Sequence, residues 1–172
     1  MQKIIGFLMI ITGCFGLGVW YSGQFKAQLK GLQEMCRILE LLEGEIRFGR
    51  STLPECCLQL TDRVAEPYKS CFREIYDTTC ENQGETFGTL CKEVLDKKLK
   101  ELVVDKSDKD LFVKCFSQSG FSEGRMQLRI IEQTKEELEE RLHKLNRESA
   151  DKCRLALSLG AMSGLLLVIL FI

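Results

Sequence analysis

Two stretches of this 172-residue chain contain no charged side chain: Ile4 to Trp20 at one end and Leu155 to Ile172 at the other. They constrain the fold more than any other feature, because such runs must leave water. A helix gains about 1.5 Å per residue, so 17 or 18 residues cover about 25 Å, close to the roughly 30 Å hydrocarbon core of a bilayer. Trp20 and Tyr21 stand where an interfacial aromatic belt would put them. The sequence thus predicts two transmembrane helices, within residues 1–23 and 152–172, around a polar domain over residues 24–151.

All 25 acidic residues fall in that middle, with every basic residue except Lys3, Lys152 and Arg154. Taking those three from the 24 bases leaves 21, so the middle is net negative by about four charges. Nucleic-acid binding needs a concentrated basic face, and this balance argues against it. Lys26, Lys30 and Arg37 follow the first apolar run, and Lys144, Arg147, Lys152 and Arg154 precede the second. Basic residues flank membrane spans on the cytoplasmic side, so the middle is expected there and the termini on the far side.

A competing reading is an exported lipoprotein. Ile11-Thr12-Gly13-Cys14 fits the pattern that precedes a lipid-modified cysteine, which would leave Cys14 as the anchor. Against it, Phe15 to Trp20 continues the apolar run past the cleavage point. A GPI signal at the other end lacks its small-residue site and polar spacer.

The middle reads as helical throughout. Phe25, Leu29, Leu32, Cys36, Leu39, Leu42 and Ile46 recur at spacings of three and four, the stripe of an amphipathic helix from Gln24 to Arg47. A second helix is expected from Ser51-Thr52-Leu53-Pro54, ending before Pro67, since the residue before a proline avoids helical geometry. A third should run from Pro67 to Cys80, facing Tyr68, Cys71, Phe72, Ile75 and Tyr76 inward, and a fourth from Thr86 to Leu102. The fifth is expected to be capped by Ser107 and to reach Ser117. The last begins near Ser122 with Met126, Ile130, Thr134, Leu138, Leu142 and Leu145 inward and continues into the second apolar run. Glu137 with Arg141 and Glu140 with Lys144 should pair along its outer face. The fold class is therefore all-α: a six-helix antiparallel bundle flanked by an N-terminal and a C-terminal transmembrane helix.

No constellation points to catalysis or a cofactor. The chain has one histidine, His143, so no histidine-based metal site or triad can be built, and it lacks phosphate-cradling glycine loops. The nine cysteines form no CxxC pair, which structural zinc would need. Most fall where a helix wants a small apolar residue and read as buried reduced thiols. Cys56-Cys57 is the one candidate for thiol redox chemistry, weighed against simple packing. The carboxylates Glu136, Glu137, Glu139 and Glu140 read as a solvated helix face.

Two polar stretches stand out at helix ends. Glu43, Glu45, Arg47 and Arg50 surround the end of the first amphipathic helix, and Ser119 to Gln127 opens the last. Three readings stay open: caps and turns, a docking patch for a partner, or polar contacts between these two helix ends.

At these residues the chain resembles the stage III sporulation protein AB family of endospore-forming bacteria. The likeness covers nearly the whole length. It includes Leu41-Leu42-Glu43-Gly44-Glu45-Ile46-Arg47-Phe48-Gly49 followed by Thr52-Leu53-Pro54, where the family has a Thr-Pro-Leu step. It also includes Gly120, Glu123 and Gln127, with Glu replacing the family's Asp. The resemblance implies a membrane component, without cofactor or metal, of the channel-like complex linking mother cell and forespore during engulfment. It places the protein in the mother-cell side of the envelope, the outer forespore membrane. The family's helical domain is similar to the cytoplasmic domain of type II secretion system protein F. That implies contact with a secretion-type ATPase, the AA protein of the same system, and with other membrane subunits; self-association is open. On this reading Glu43, Glu45, Arg47, Arg50, Glu123 and Gln127 are the partner-binding candidates.

Overall fold

The computed structural model describes residues 2–48, 52–81, 86–119 and 124–171, without most side chains of 2–22 and 149–171. Every regular element among the described residues is helical. In chain order these are α1 (Gln2–Phe48), α2 (Leu53–Thr61), α3 (Tyr68–Glu81), α4 (Phe87–Lys98), a 3-10 turn (Leu99–Glu101), α5 (Lys106–Ser119) and α6 (Gly124–Phe171). The chain divides into two compact units, residues 31–142 and residues 1–30 with 143–172.

The 31–142 unit holds the polar helices. α2 packs on α3, α3 on α4 and α4 on α5, each on its sequence neighbour across a short connection, as short loops require. The α1 stripe lies where its spacing puts it, with Leu32, Cys36, Leu39 and Leu42 buried. Met35 and Ile38 are buried as completely, so the apolar face is wider than the single stripe the periodicity suggests. α3 buries Tyr68, Cys71, Phe72 and Ile75; α4 and its 3-10 turn bury Leu90, Cys91, Val94, Leu95 and Leu99. The centre is aromatic. Phe112 and Phe116 of α5 stand 5.0 Å apart between ring centres, with Phe72 5.5 Å from Phe116 and Tyr68 edge-on to Phe112 at 6.0 Å. Burying each such ring contributes about 1.5–3 kcal/mol.

At Gly31 the connection after the 3-10 turn lies against α1. A Cβ built there would stand 2.4 Å from Cγ2 of Val104, inside any permissible contact. With Val104 in place, glycine leaves the room that the Leu102–Asp105 connection needs to lie against the helix at this point.

Several boundaries differ from expectation for local reasons. α2 has Thr52 as its N-cap and Pro54 in its first turn, as the sequence suggests; the Thr52 amide donates to Oε2 of Glu55 at 2.7 Å. The helix expected over Thr86–Leu102 tightens into 3-10 geometry at Leu99 and stops at Glu101. α5 is capped by Asp105, whose Oδ1 accepts from the Ser107 amide at 3.0 Å, so the cap lies two residues before the expected Ser107. In α6, Met126 is 55% exposed, whereas Ile131, Thr134 and Leu138 are buried. The inward face is rotated from Met126 towards Ile131.

The apolar runs proposed as membrane spans, Ile4–Trp20 and Leu155–Ile172, lie almost wholly outside the described side chains. Among the described residues no helix is long and apolar enough to cross a membrane. The Cys14 side chain is likewise outside the described ones. None of the seven described cysteines is in a disulfide; six are buried and Cys80 is exposed.

Candidate functional site

The carboxylates and guanidinium that end the first amphipathic helix do not stand alone. Glu43 is one α-helical turn before Arg47, and their side chains pair at 3.1 Å. From α6, Glu132 pairs with Arg47 and Lys135 with Glu43. The order reverses between the two helices, 43 with 135 and 47 with 132, so α1 and α6 run antiparallel here. The result is a ladder of alternating charge, with Glu43 and Lys135 its more covered rung. The hydrogen bond from Lys135 to Glu43 holds the lysine's pKa above its ordinary value.

Glu45 points elsewhere, accepting from Arg63 after α2 at 3.0 Å. The first helix end thus ties down both α6 and the α2–α3 connection. A second tie lies further along α6. Asp108, buried near the start of α5, accepts from Arg141 at 2.6 Å, and Arg141 also reaches Glu137 at 2.5 Å and the Ser107 hydroxyl at 3.0 Å. These carboxylates, Asp108 first, raise the guanidinium's pKa.

Of the six partner-binding candidates, the structure brings Glu43 and Arg47 together in the ladder and sends Glu45 to Arg63. Gln127 is half-buried on α6. Arg50 and Glu123 lie outside the described residues. Sequence reasoning missed Glu132, Lys135, Arg63 and Asp108. A signal for two of them existed: Glu132 and Lys135 sit three residues apart with signs opposite to Arg47 and Glu43. No group of His, Cys, Asp and Glu among the described residues is arranged to hold a metal ion.

The thiol pair Cys56-Cys57 is core. Both residues are fully buried on α2, and burial, then the nearby Glu45, pushes the Cys56 thiol up to about 11. A reactive thiol needs the opposite shift.

Comparison with known proteins bears on the whole chain. The sequence profile of the stage III sporulation protein AB family matches residues 3–172. This chain belongs to that family. The stage III sporulation protein AB of Bacillus subtilis (strain 168) is 22% identical over 170 residues, covering 99% of each chain. A solved structure of a stage III sporulation protein AB superposes with a TM-score of 0.63 at 19% identity, over 72% of this chain and 97% of the other. The family's naming puts the chain in sporulation.

Proposed function

We propose that this chain is a non-enzymatic platform subunit of the sporulation channel complex between mother cell and forespore. Ile4–Trp20 and Leu155–Ile172 cross the membrane on the mother-cell side and leave the polar helices in the cytoplasm. There they dock the AA-type ATPase and meet the other membrane subunits of the complex. The charge-free ends, the basic residues beside them and the family membership support this reading.

One observation carries the docking face. Where α1 finishes and α6 begins, Phe48 is 86% exposed and Met126 55%, on helices the charge ladder holds in place. Large apolar side chains in water on a braced surface mark a contact site. Glu43, Arg47 and Glu45 brace that surface, and Gln127 follows Met126 on α6.

The test is capture of the AA-type ATPase by the full-length tagged chain from detergent-solubilised membranes of sporulating cells. Wild type should retain it. Phe48→Asp, which touches no ion pair of the ladder, should lose most of it. An undiminished yield from Phe48→Asp would remove this face from the proposal.

A further inference from the structure

Charge is divided along this chain as its compact units are. The 31–142 unit holds 23 acidic and 17 basic side chains, an acidic excess of six. The 22 residues at 21–30 and 143–154 lead from that unit to the two apolar runs. They hold six basic side chains, Lys26, Lys30, Lys144, Arg147, Lys152 and Arg154, and only two acidic ones, Glu148 and Asp151. Positive charge is thus concentrated beside the apolar runs of a chain that is acidic elsewhere. Setting the orientation of a span needs only an excess of basic residues on one side. An excess this local, against the sign of the remaining chain, also makes a surface that attracts anions.

These residues belong to the unit of residues 1–30 and 143–172. Trp20 ends the first run with 65% of its surface exposed. Lys26 and Lys30 are exposed one turn apart on α1. At about 1.5 Å per residue they follow Trp20 by about 9 and 15 Å. Lys144 and Arg147 are exposed on α6, and Lys152 and Arg154 come within about 5 Å of helix before Leu155. With the runs in a bilayer, the polar layer on each face is about 6 Å deep, and its potential reaches about 8 Å further at physiological salt. Long lysine and arginine stems lie along apolar surface while their heads seek the polar layer, so all six come within its field. The ligand that such a collar fits is a phosphate-bearing lipid headgroup, which meets it at a fixed depth and in two dimensions.

We infer that this basic collar binds anionic phospholipid headgroups, so that the lipids around Trp20 are enriched in them over zwitterionic ones. One basic residue near an anionic surface strengthens the attraction about fivefold. The inference rests on the reading of Ile4–Trp20 and Leu155–Ile172 as membrane spans. It does not depend on the ATPase or on the Phe48 face.

The chain has a single tryptophan, so its fluorescence reports on the lipids beside Trp20 alone. The full-length chain is reconstituted into equimolar phosphatidylcholine and phosphatidylglycerol, with one lipid or the other brominated in its acyl chains to quench a neighbouring indole. Quenching should show phosphatidylglycerol enriched about fivefold at low salt. The enrichment should fade in about 1 M salt, where the screening length shrinks to about 3 Å. The variant Lys26→Gln/Lys30→Gln/Lys144→Gln/Arg147→Gln keeps Lys152 and Arg154 to hold the orientation, and should lose roughly half of the enrichment or more. Equal quenching by the two lipids in wild type would overturn the inference and leave the spans standing. An enrichment unchanged in both the variant and high salt would overturn it as well. A Trp20 left unquenched in wholly brominated phosphatidylcholine would put the first run outside the bilayer and remove the membrane reading itself.

Discussion

Buried thiols make the protein sensitive to alkali. Burial pushes Cys36 and Cys71 up to about 11 and Cys91 to about 12, from an ordinary value of 9.0. A raised folded-state pKa means that the unfolded chain loses the proton first. The stability is complete below pH 9 and is lost as pH climbs towards 11 or 12. Urea unfolding at pH 8, 9 and 10 should show a decline on the order of 1 kcal/mol per buried thiol per pH unit above 9. Cys91→Ala should make that decline shallower; an unchanged slope would contradict the assignment. At Gly31 the steric limit is as specific. Gly31→Ala adds helix propensity worth about 1 kcal/mol, yet drives its Cβ into Val104. We expect a net loss of about 1–2 kcal/mol, recovered in the Gly31→Ala/Val104→Ala double variant by thermal denaturation. The thiols were legible from their apolar neighbours, Cys71 before Phe72 and Cys115 before Phe116. The role of Gly31 was not, because its partner lies 73 residues away in a connection without periodicity.

Among the elements, the charge ladder and the Asp108–Arg141 tie do different amounts of work. The ladder is half in water, so a double-mutant cycle on Glu43→Ala and Lys135→Ala should give a coupling of only about 0.5–1 kcal/mol, falling with salt. Asp108 is only 6% exposed. Asp108→Ala leaves Arg141 with the exposed Glu137 and the Ser107 hydroxyl as partners and should cost about 2 kcal/mol, while Glu137→Ala should cost a few tenths. Equal losses would mean that burial of Asp108 contributes nothing. Helix existence and most inward faces could be read from three-and-four spacing, as in α3 and α4. The misreadings are those such a pattern cannot resolve. Asp105 and Ser107 are both good caps, and only the backbone path decides between them. Met126 and Ile131 lie about 140° apart around α6, and the spacing of three and four accommodates Thr134 and Leu138 with either start.

For the whole molecule, the arrangement of apolar ends around a helical middle was the most legible feature, and it led to the family that the profile match shows. The candidate site was legible only in part. Glu43 and Arg47 were found as residues, but their partners on α6 depend on two helix ends more than 80 residues apart meeting in space. The membrane reading predicts that an impermeant maleimide will not label Cys80, the exposed thiol on α3, until cells are permeabilised. Labelling in intact cells would put the polar helices on the wrong side. The pairing of Glu43 with Lys135 and Arg47 with Glu132 has a mechanical corollary. One turn of slip in one sense would set Glu43 beside Glu139 while Arg47 met Glu136; in the other it would set Glu43 and Arg47 beside Ile131 and Leu128. The first register sets two carboxylates side by side and the second forfeits both cross-helix pairs, so the ladder selects one axial register of α1 against α6, by a margin of about 1 kcal/mol.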